Sequence, residues 1–569
     1  MNRNLALIAA CTTLTMISGA ALGSEHIYPE SIASPTELDM QDIARTMINS
    51  LHPDQQKVIA QKGGIGSDVL DISGFTRNFD QRGNTNVPHG VTATEFLNML
   101  LSDEMLAELS DDQLMVLNTV ADLMDEGKEM PYMCFAPGTS TKFAWVINEM
   151  LDYQFVSDDG SRFQQANRWT RTAIDGNGLT QGDATNMTYS FAPDGSPISN
   201  TGLGAGNSQL FQWLDARYAS TETWQALFHS VFDRWGELTG ITYTWEENDD
   251  GRRMSSAAGI VGVRGDVRIF AFNYPLDGNF GVLAYNFFPN DGDMALDAFD
   301  SFYNSQSNNS IRLRNVVSHE HGHGLGMAHV CPATQTKLME PFVSTLYNGP
   351  QLDDILNGQR HYGDPQEPNN SAGIATDLGS FGSFGFANID EASIDDNSDV
   401  DWFRIETTER SQILFGVSPN AGTYRQGPQT TSCSTGNNTN YNTMHDLKLD
   451  LYLLPDLVTP VASINANLAG TGETLIYDAE TPGEYYIEVS PDTSTNNIQR
   501  YNASLLVTAL PPVECPADLT GDGEVNFFDV AEFLGAFGAM EPAADFTGDG
   551  KYNFFDVAAF LTAFAEGCP

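Results

Sequence analysis

HEHGHGLGMAH, residues 319–329, gathers four of the chain's ten histidines into eleven positions, with a glutamate and glycines between them. On a helix, His319 and His323 stand one turn apart on the same face, so both imidazoles reach one metal ion. Glu320 sits beside the first of them, able to contact water at the metal without ligating it. Gly326 lets the chain turn sharply after the helix and bring back His329 as a third ligand. Three nitrogen ligands leave one position open, which marks a catalytic rather than a structural zinc site. At such a site water is acidified, and Glu320 would act as general base and later deliver the proton to a leaving amine. His321 reads as a bystander. Five positions matched at fixed offsets make a chance cluster rare.

The rest of the chain supplies the context. Its 569 residues hold 75 acidic and 27 basic side chains, a formal charge of −48. Such a surface repels phosphate backbones, which excludes nucleic acid as a partner and favours cations. The opening MNRNLALIAACTTLTMISGAALGSEH pairs an early Arg with an apolar run and small residues, the pattern of a secretory signal cleaved after Gly23. No later apolar run reaches the ~18 residues of a membrane span. The expected location is therefore extracellular, with cell-surface association open. Beyond Cys11 there are five cysteines: Cys134, Cys331, Cys433, Cys515 and Cys568. An odd number leaves one thiol unpaired or bridged to another chain.

Along the chain, the pattern divides into a signal (1–23), a mainly helical propeptide-like region (24–165), an α+β catalytic domain (166–363), an all-β sandwich (364–510) and a small two-repeat helical module (511–569). Thr92–Glu95 and Ser110–Gln113 are capping-box patterns ahead of apolar helical runs. Trp224, Leu227, Phe228, Val231 and Trp235 share one helical face and read as core. GITYTW, DVRIFAF and GVLAYNFF are strand-like, whereas IRLRNVVSHEHGHG is helical. GDPQEPNNS (363–371) reads as a linker. Short alternating runs such as DWFRIE, KLDLYLL and EYYIEVS then recur between turn residues, as in a β-sandwich. A repeat of period 27 closes the chain: DLTGDGEVNFFDVAEFLGAF, then DFTGDGKYNFFDVAAFLTAF.

HEHGHGLGMAH matches the HExxHxxGxxH signature of the metzincin metallopeptidases. Leu338-Met339-Glu340-Pro341 resembles their Met-turn, and the Pro after it resembles the matrixin branch. QLDDILNGQRHYG is similar to the matrixin closing helix, and AFNYPLDGNFGVLAYNFFP to the strand and loop upstream. The resemblance implies zinc held by His319, His323 and His329, Met339 packed beneath it, and a structural calcium on Asp277, Asp297 and Asp300. Carbonyls of Gly278, Phe280 and Val282 would complete that calcium site. Tyr285 and Ala295 stand where animal matrixins carry histidines for a second, structural zinc, so one zinc per chain is expected. The propeptide motif PRCGxPD is missing. Cys134 could still fill the zinc's open position as a latency thiolate, or form a disulfide with Cys331 or Cys433. The GVLAYNFF strand implies an edge to which an extended peptide or protein substrate would add.

EPNNSAGIATDLG, DVDWFRIE and TPGEYYIEVSP resemble the bacterial pre-peptidase C-terminal domain. There Trp402 and Phe403 read as core, and the Asp399–Asp401 pair reads as either a calcium site or a solvated turn. The terminal repeat has EF-hand oxygen spacing. Asp518, Thr520, Asp522, Asn526 and Asp529, then Asp545, Thr547, Asp549, Asn553 and Asp556, resemble the two calcium loops of dockerin domains. Phe527, Phe528, Val530, Phe533 and Leu534 form the module's apolar stripe. Cys515 and Cys568 bracket the module like a disulfide clasp. A dockerin-like module implies a cohesin-like receptor or cell-surface partner. The whole reads as a secreted, zymogen-type zinc endopeptidase needing Zn²⁺ and Ca²⁺. The rivals are a secreted adhesion or scaffold protein with an inactive peptidase domain, and a zinc hydrolase acting on other bonds.

Overall fold

Two capping boxes start the first described helices. Thr92 Oγ1 accepts the Glu95 N–H at 3.1 Å and the Glu95 carboxylate accepts the Thr92 N–H at 3.0 Å, opening α1 (Ala93–Leu100). Ser110 and Gln113 exchange the same bonds at the head of α3 (Asp111–Asp125), after the single turn α2 (Asp103–Leu106). The structure, a computed structural model, describes residues 92–152, 166–198, 203, 206–272, 274, 276–279, 281–427, 433–493, 496–511 and 515–567. The expected signal segment 1–23 lies outside them.

The region expected to be helical also contains a strand, β1 (Tyr132–Phe135), ahead of α4 (Thr141–Asp152). YMCF is too short and too continuously apolar to declare its own conformation. It is buried throughout because an open sheet edge captures it.

That sheet is the core of the catalytic region. After a minimal hairpin of β2 (Arg171–Thr172) and β3 (Gly176–Asn177) come β4 (Thr185–Phe191), β5 (Ile241–Trp245), β6 (Val267–Phe272), β7 (Val282–Asn286) and β8 (Met294–Asp297). The sheet order is β1-β7-β8-β6-β4-β5. Strands β4, β5, β6 and β8 run parallel, whereas β7 is antiparallel to both β8 and β1.

Side-chain alternation along β6 sends Ile269 and Ala271 to one face and Phe270 and Phe272 to the other. The first face packs on α5 (Leu210–Asp215), α6 (Thr221–Leu238) and α7 (Ser307–Gly324), where Trp224, Leu227, Phe228, Val231 and Trp235 are all buried as their spacing predicts. The second face packs on Phe96, Leu97, Leu117, Val120 and Ile147 of the leader helices. Helix α8 (Leu352–Tyr362) closes the region.

The segment 363–371 is not a free linker. Gly363 O accepts the Gly240 N–H at 2.8 Å, Asn369 O accepts the Trp402 N–H at 2.9 Å, and Asp364 and Asn369 are wholly buried. Its Gly, Pro and Asn make fixed turns, for which they are as well suited as for tethers.

The sandwich beyond it comprises β9 (Thr376–Phe381), β10 (Phe384–Ile394), β11 (Asp401–Thr407), β12 (Ser411–Pro419), β13 (Thr423–Gln426), β14 (Asn437–Asn440), β15 (Leu447–Leu453), β16 (Ala462–Ile464), β17 (Glu473–Ala479), β18 (Gly483–Pro491) and β19 (Gln499–Ala509). Sheets β10-β19-β12-β17 and β16-β15-β18-β11-β9 face each other across Phe403, Ile405, Phe415, Leu449, Ile487 and Leu505. Phe403 is core as expected. Trp402 alternates outward and stacks on Tyr452 at 5.2 Å instead.

In the terminal module, α9 (Phe527–Ala539) and α10 (Phe554–Glu566) pack through Phe533 stacked on Phe560 at 4.1 Å. The expected stripe is corrected here. Phe527, Phe528 and Leu534 are 75%, 68% and 59% exposed, because the contact between the helices takes only one narrow face, centred on Phe533.

One buried ion pair holds the sheet to the loop after β5. Arg268 meets Asp249 with two bonds, Nε–Oδ2 at 2.8 Å and Nη2–Oδ1 at 2.6 Å, and both side chains are inaccessible. Asp249→Ala strands a buried guanidinium and is expected to cost about 3–5 kcal/mol. The midpoint of denaturant unfolding, followed by tryptophan fluorescence, reads this loss.

Candidate metal centre

Helix α7 is regular from residue 311 and carries His319 and His323 on consecutive turns. It ends at Gly326, whose φ of +91° suits glycine, and a Cβ there would fall 1.7 Å from Asn167 O. The chain therefore reverses and returns His329 to the same point. The three Nε2 atoms lie 3.1, 3.1 and 3.2 Å apart, fully buried.

These contacts are not hydrogen bonds, because each imidazole spends its proton elsewhere. His319 Nδ1 donates to Leu338 O at 2.7 Å, His323 Nδ1 to Met327 O at 2.6 Å, and His329 Nδ1 to Asn148 Oδ1 at 2.7 Å. The tautomers follow from these acceptors. Three lone pairs then face one another in a dry core, an arrangement that only a cation makes favourable. Zinc–nitrogen bonds of ~2.0–2.1 Å in a tetrahedron set nitrogens about 3.3 Å apart, close to what is seen. The donor set fits zinc. Burial holds His319 down at about 4 and lowers His323 and His329 well below the ordinary imidazole value, so all three stand as neutral donors.

Glu320 is also fully buried, and burial raises it to about 8. Neither carboxylate oxygen is in full hydrogen-bond geometry; the group that faces it is Cys134. His321 points away from the cluster, with its Nε2 2.6 Å from the Tyr243 hydroxyl.

The support for the ligands was only partly legible. Met339 sets its sulfur against α7: a Cβ on Gly322, between His319 and His323, would come within 2.3 Å of it. Asp354 of α8 went unrecognised, although it is buried and accepts the N–H groups of Leu338 at 2.7 Å and Met339 at 3.0 Å. It thereby fixes the carbonyl that orients His319. Asn148 was also missed, since a lone Asn on a leader helix carries no signal of its role.

Strand β1 lies across the centre. It pairs antiparallel with β7, Cys134 opposite Ala284. On its other side the Phe135 N–H donates to Pro341 O and the Val343 N–H to Phe135 O, both at 3.0 Å, in parallel sense. The Tyr132 ring sits 4.9 Å from that of His323.

Cys134 is a free, buried thiol, pushed upward by burial and by Glu320. Its sulfur is not among the ligand atoms that lie within 4.8 Å of one another at the three histidines. The disulfide considered for it is instead Cys331–Cys433. Cys515 is disulfide-bonded, and its expected partner Cys568 lies outside the described residues.

The candidate calcium residues fare unequally. Burial raises Asp277 to about 6 and Asp297 to about 8, with Asp300 adding repulsion to both. Among the described residues these three do not form a group with ligand atoms within 4.8 Å, and Phe280 is outside the description. Asp277 accepts the Val282 N–H at 3.1 Å, and Asp300 the Phe302 N–H at 2.6 Å. Where a second zinc would need histidines, Tyr285 is buried with its hydroxyl donating to Leu203 O, and Ala295 is buried in β8.

In the terminal module Asp518, Asp522 and Asp529 do converge within 4.8 Å, and Thr520 Oγ1 donates to Asp529 at 2.9 Å. The second loop repeats that bond from Thr547 to Asp556 at 2.8 Å, while Asp549 N–H donates to Asp545 at 3.1 Å. Asn526 and Asn553 cap their helices by accepting the N–H of Phe528 and Phe555. Asp399 and Asp401 form a second acidic group with Glu367.

Removing the Asp354 carboxylate, as Asp354→Ala, frees the turn that orients His319. Zinc affinity is expected to fall about 10–100-fold, the usual cost of losing such support. Competition with a chromophoric chelator measures it.

Among known proteins, residues 215–363 match the family described as Matrixin. Stromelysin-3 of Mus musculus is 35% identical over 136 residues, 23% of this chain and 25% of that protein. Metalloendoproteinase 2-MMP of Arabidopsis thaliana is 29% identical over 161 residues, 26% of this chain and 40% of that protein. Neutrophil collagenase of Homo sapiens is 32% identical over 153 residues, 26% and 30% respectively. The chain thus spans about a quarter to two fifths of the length of these relatives. The solved pre-peptidase C-terminal domain of a collagenase from Bacillus anthracis matches 24% of this chain and 94% of its own at 14% identity, with a TM-score of 0.14, too low to support an argument. Among the described residues no helix is long and apolar enough to cross a membrane. The helix with His319 and His323, the returning third histidine and the turn at Met339 all fall within 215–363, the part of the chain that matches the matrixin family.

Proposed function

We propose that the protein is a secreted, zymogen-type zinc endopeptidase. One observation carries the reading: three neutral imidazoles and a buried glutamate converge beside a groove that already holds an extended peptide, strand β1. An inactive scaffold has no need to keep Glu320 beside the ligands, and a hydrolase of other bonds has no need of an edge that pairs with main chain. Bound zinc supplies Lewis acidity, polarising a carbonyl and acidifying water. Glu320 takes the proton of the attacking water and returns it to the leaving amine. The substrate lies as β1 does, antiparallel to β7, its amides held by the main chain of β7 and of residues 341–343.

The zymogen reading follows from the same strand. While β1 fills the groove no substrate enters, and the Cys134 thiol covers the base. Export rests on residues 1–23. Calcium is proposed at Asp277, Asp297 and Asp300 and in the two terminal loops, where carboxylates held close together repel until a cation offsets them. A cohesin-like receptor or cell-surface component is the proposed partner of the terminal module.

Glu320→Gln, freed of the leader, should retain zinc and lose about 10²–10⁴ in the rate of peptide hydrolysis. Mass spectrometry of a peptide pool with and without a zinc chelator checks the activity, and near-normal cleavage would sink the mechanism. Elemental analysis of dialysed protein should find one zinc per chain together with calcium; two tightly held zincs would contradict the roles read for Tyr285 and Ala295.

A further inference from the structure

The β13–β14 hairpin belongs to neither sheet of the sandwich; it pairs only with itself, as a separate two-stranded ribbon. It is an excursion between β12 and β15, and it points at the metal centre. Cys433, at its end, is joined by a disulfide to Cys331, two residues after the ligand His329 and 102 residues away in sequence from its partner. Main-chain bonds fasten the same junction. Gly427 N–H donates to Cys331 O at 3.0 Å and Ala333 N–H to Cys433 O at 2.6 Å. The two limbs of the hairpin approach each other closely enough to demand glycine on both, and Gly436 also abuts Pro332 of the His329 loop. A Cβ on Gly427 would fall 2.0 Å from Thr435 O, and one on Gly436 would meet Gln426 O at 2.7 Å and Pro332 Cδ at 3.1 Å.

The hairpin reaches the other support of the centre as well. Tyr424 of β13 stacks on the buried Tyr441 at 4.7 Å and packs in one apolar cluster with Leu352 and Leu356, the residues flanking Asp353 on α8, its hydroxyl outside hydrogen-bond geometry. Asp353 is buried on α8 beside Asp354, which holds the N–H groups of Leu338 and Met339. Leu352 and Leu356 of the same helix pack with Ala421, Tyr424 and Tyr441 of the sandwich. One ribbon thus touches both polypeptide segments that place the ligands: the loop presenting His329 and the helix that fixes the turn behind His319. Neither contact is needed to complete the sandwich.

We propose that this hairpin is a positioning element of the metal centre, with Cys433 holding the His329 loop through Cys331 and Tyr424 packing against α8 beside Asp353. The catalytic domain is then incomplete without the sandwich, which acts on the metal rather than as a detachable binding module. The inference rests on the zinc-site reading above.

The test uses the full chain in saturating calcium, as wild type, as Cys331→Ser with Cys433→Ser, and as Tyr424→Ala. Zinc affinity is measured by chelator competition, and the visible spectrum is recorded with cobalt in place of zinc. The double variant is expected to bind zinc at least tenfold more weakly and to shift the cobalt bands; Tyr424→Ala should move both in the same direction by less. A staple that served only global stability would lower the melting temperature and leave spectrum and affinity unchanged, which would overturn the proposal. Wild type that binds no zinc would overturn the zinc-site reading itself. Should the double variant fail to fold, wild type reduced with a phosphine after folding is put through the same two measurements: weaker zinc binding with shifted cobalt bands supports the proposal, and unchanged values overturn it.

Discussion

Three imidazole nitrogens with their lone pairs turned inward, about 3 Å apart in a dry core, are a repulsive arrangement that a protein must enforce. The enforcement is visible at each Nδ1. Two are held by main-chain carbonyls, of Leu338 and Met327, and the third by the Asn148 side chain. Each holder is itself held. Leu338 is pinned by Asp354, Met327 follows from the turn at Gly326, and Asn148 stands on a leader helix packed into the sheet. The centre is thus the convergence of three separate chains of constraint, and the cation that fits it would relieve the repulsion they impose.

The twofold use of the sheet explains how such distant segments meet. One face of β6 carries α7, which bears two of the ligands; the other carries α1, α3 and α4, and Asn148 of α4 reaches the third, His329, at 2.7 Å. Beyond α8 the sandwich is fastened by Gln359 Nε2 to Glu391 O at 2.7 Å, by Arg360 to Asp395 O at 3.1 Å, and by the disulfide. A substitution far from residues 319–329 can therefore act on the metal through packing alone.

Legibility followed the range of the interaction. His319, Glu320, His323, Gly326 and His329 were readable because a helix and one turn fix their geometry locally, and the capping boxes at Thr92 and Ser110 because they span only four residues. Strands β5, β6, β7, β11, β15 and β18 were readable in GITYTW, DVRIFAF, GVLAYNFF, DWFRIE, KLDLYLL and EYYIEVS. What escaped depends on partners far off in sequence. YMCF becomes a strand only because β7 has a free edge, and Asn148 gains meaning only 181 residues later, at His329. Residues 363–371 looked like a tether because turn chemistry is the same whether the turn is loose or buried. Phe527 and Phe528 looked like core because a narrow helix-to-helix contact cannot be told from a broad one by counting phenylalanines.

The hydrogen bonds made by residues 166–169 have a kinetic corollary. Ala166 N–H donates to Gly326 O at 2.7 Å, the Trp169 indole to Gly324 O at 2.7 Å, and Arg168 to His361 O at 2.6 Å. The catalytic region is therefore stitched to its own start, independently of any covalent link to α4. A chain break between α4 and Ala166 would leave those stitches in place and remove the covalent link. Before it, β1 meets the groove as part of the same molecule, so its hold does not depend on protein concentration. After it, the same strand and helices are a separate molecule whose hold weakens with dilution. On the proposed zymogen reading, activation would then depend on protein concentration, slow where the protein is packed densely and rapid where it disperses.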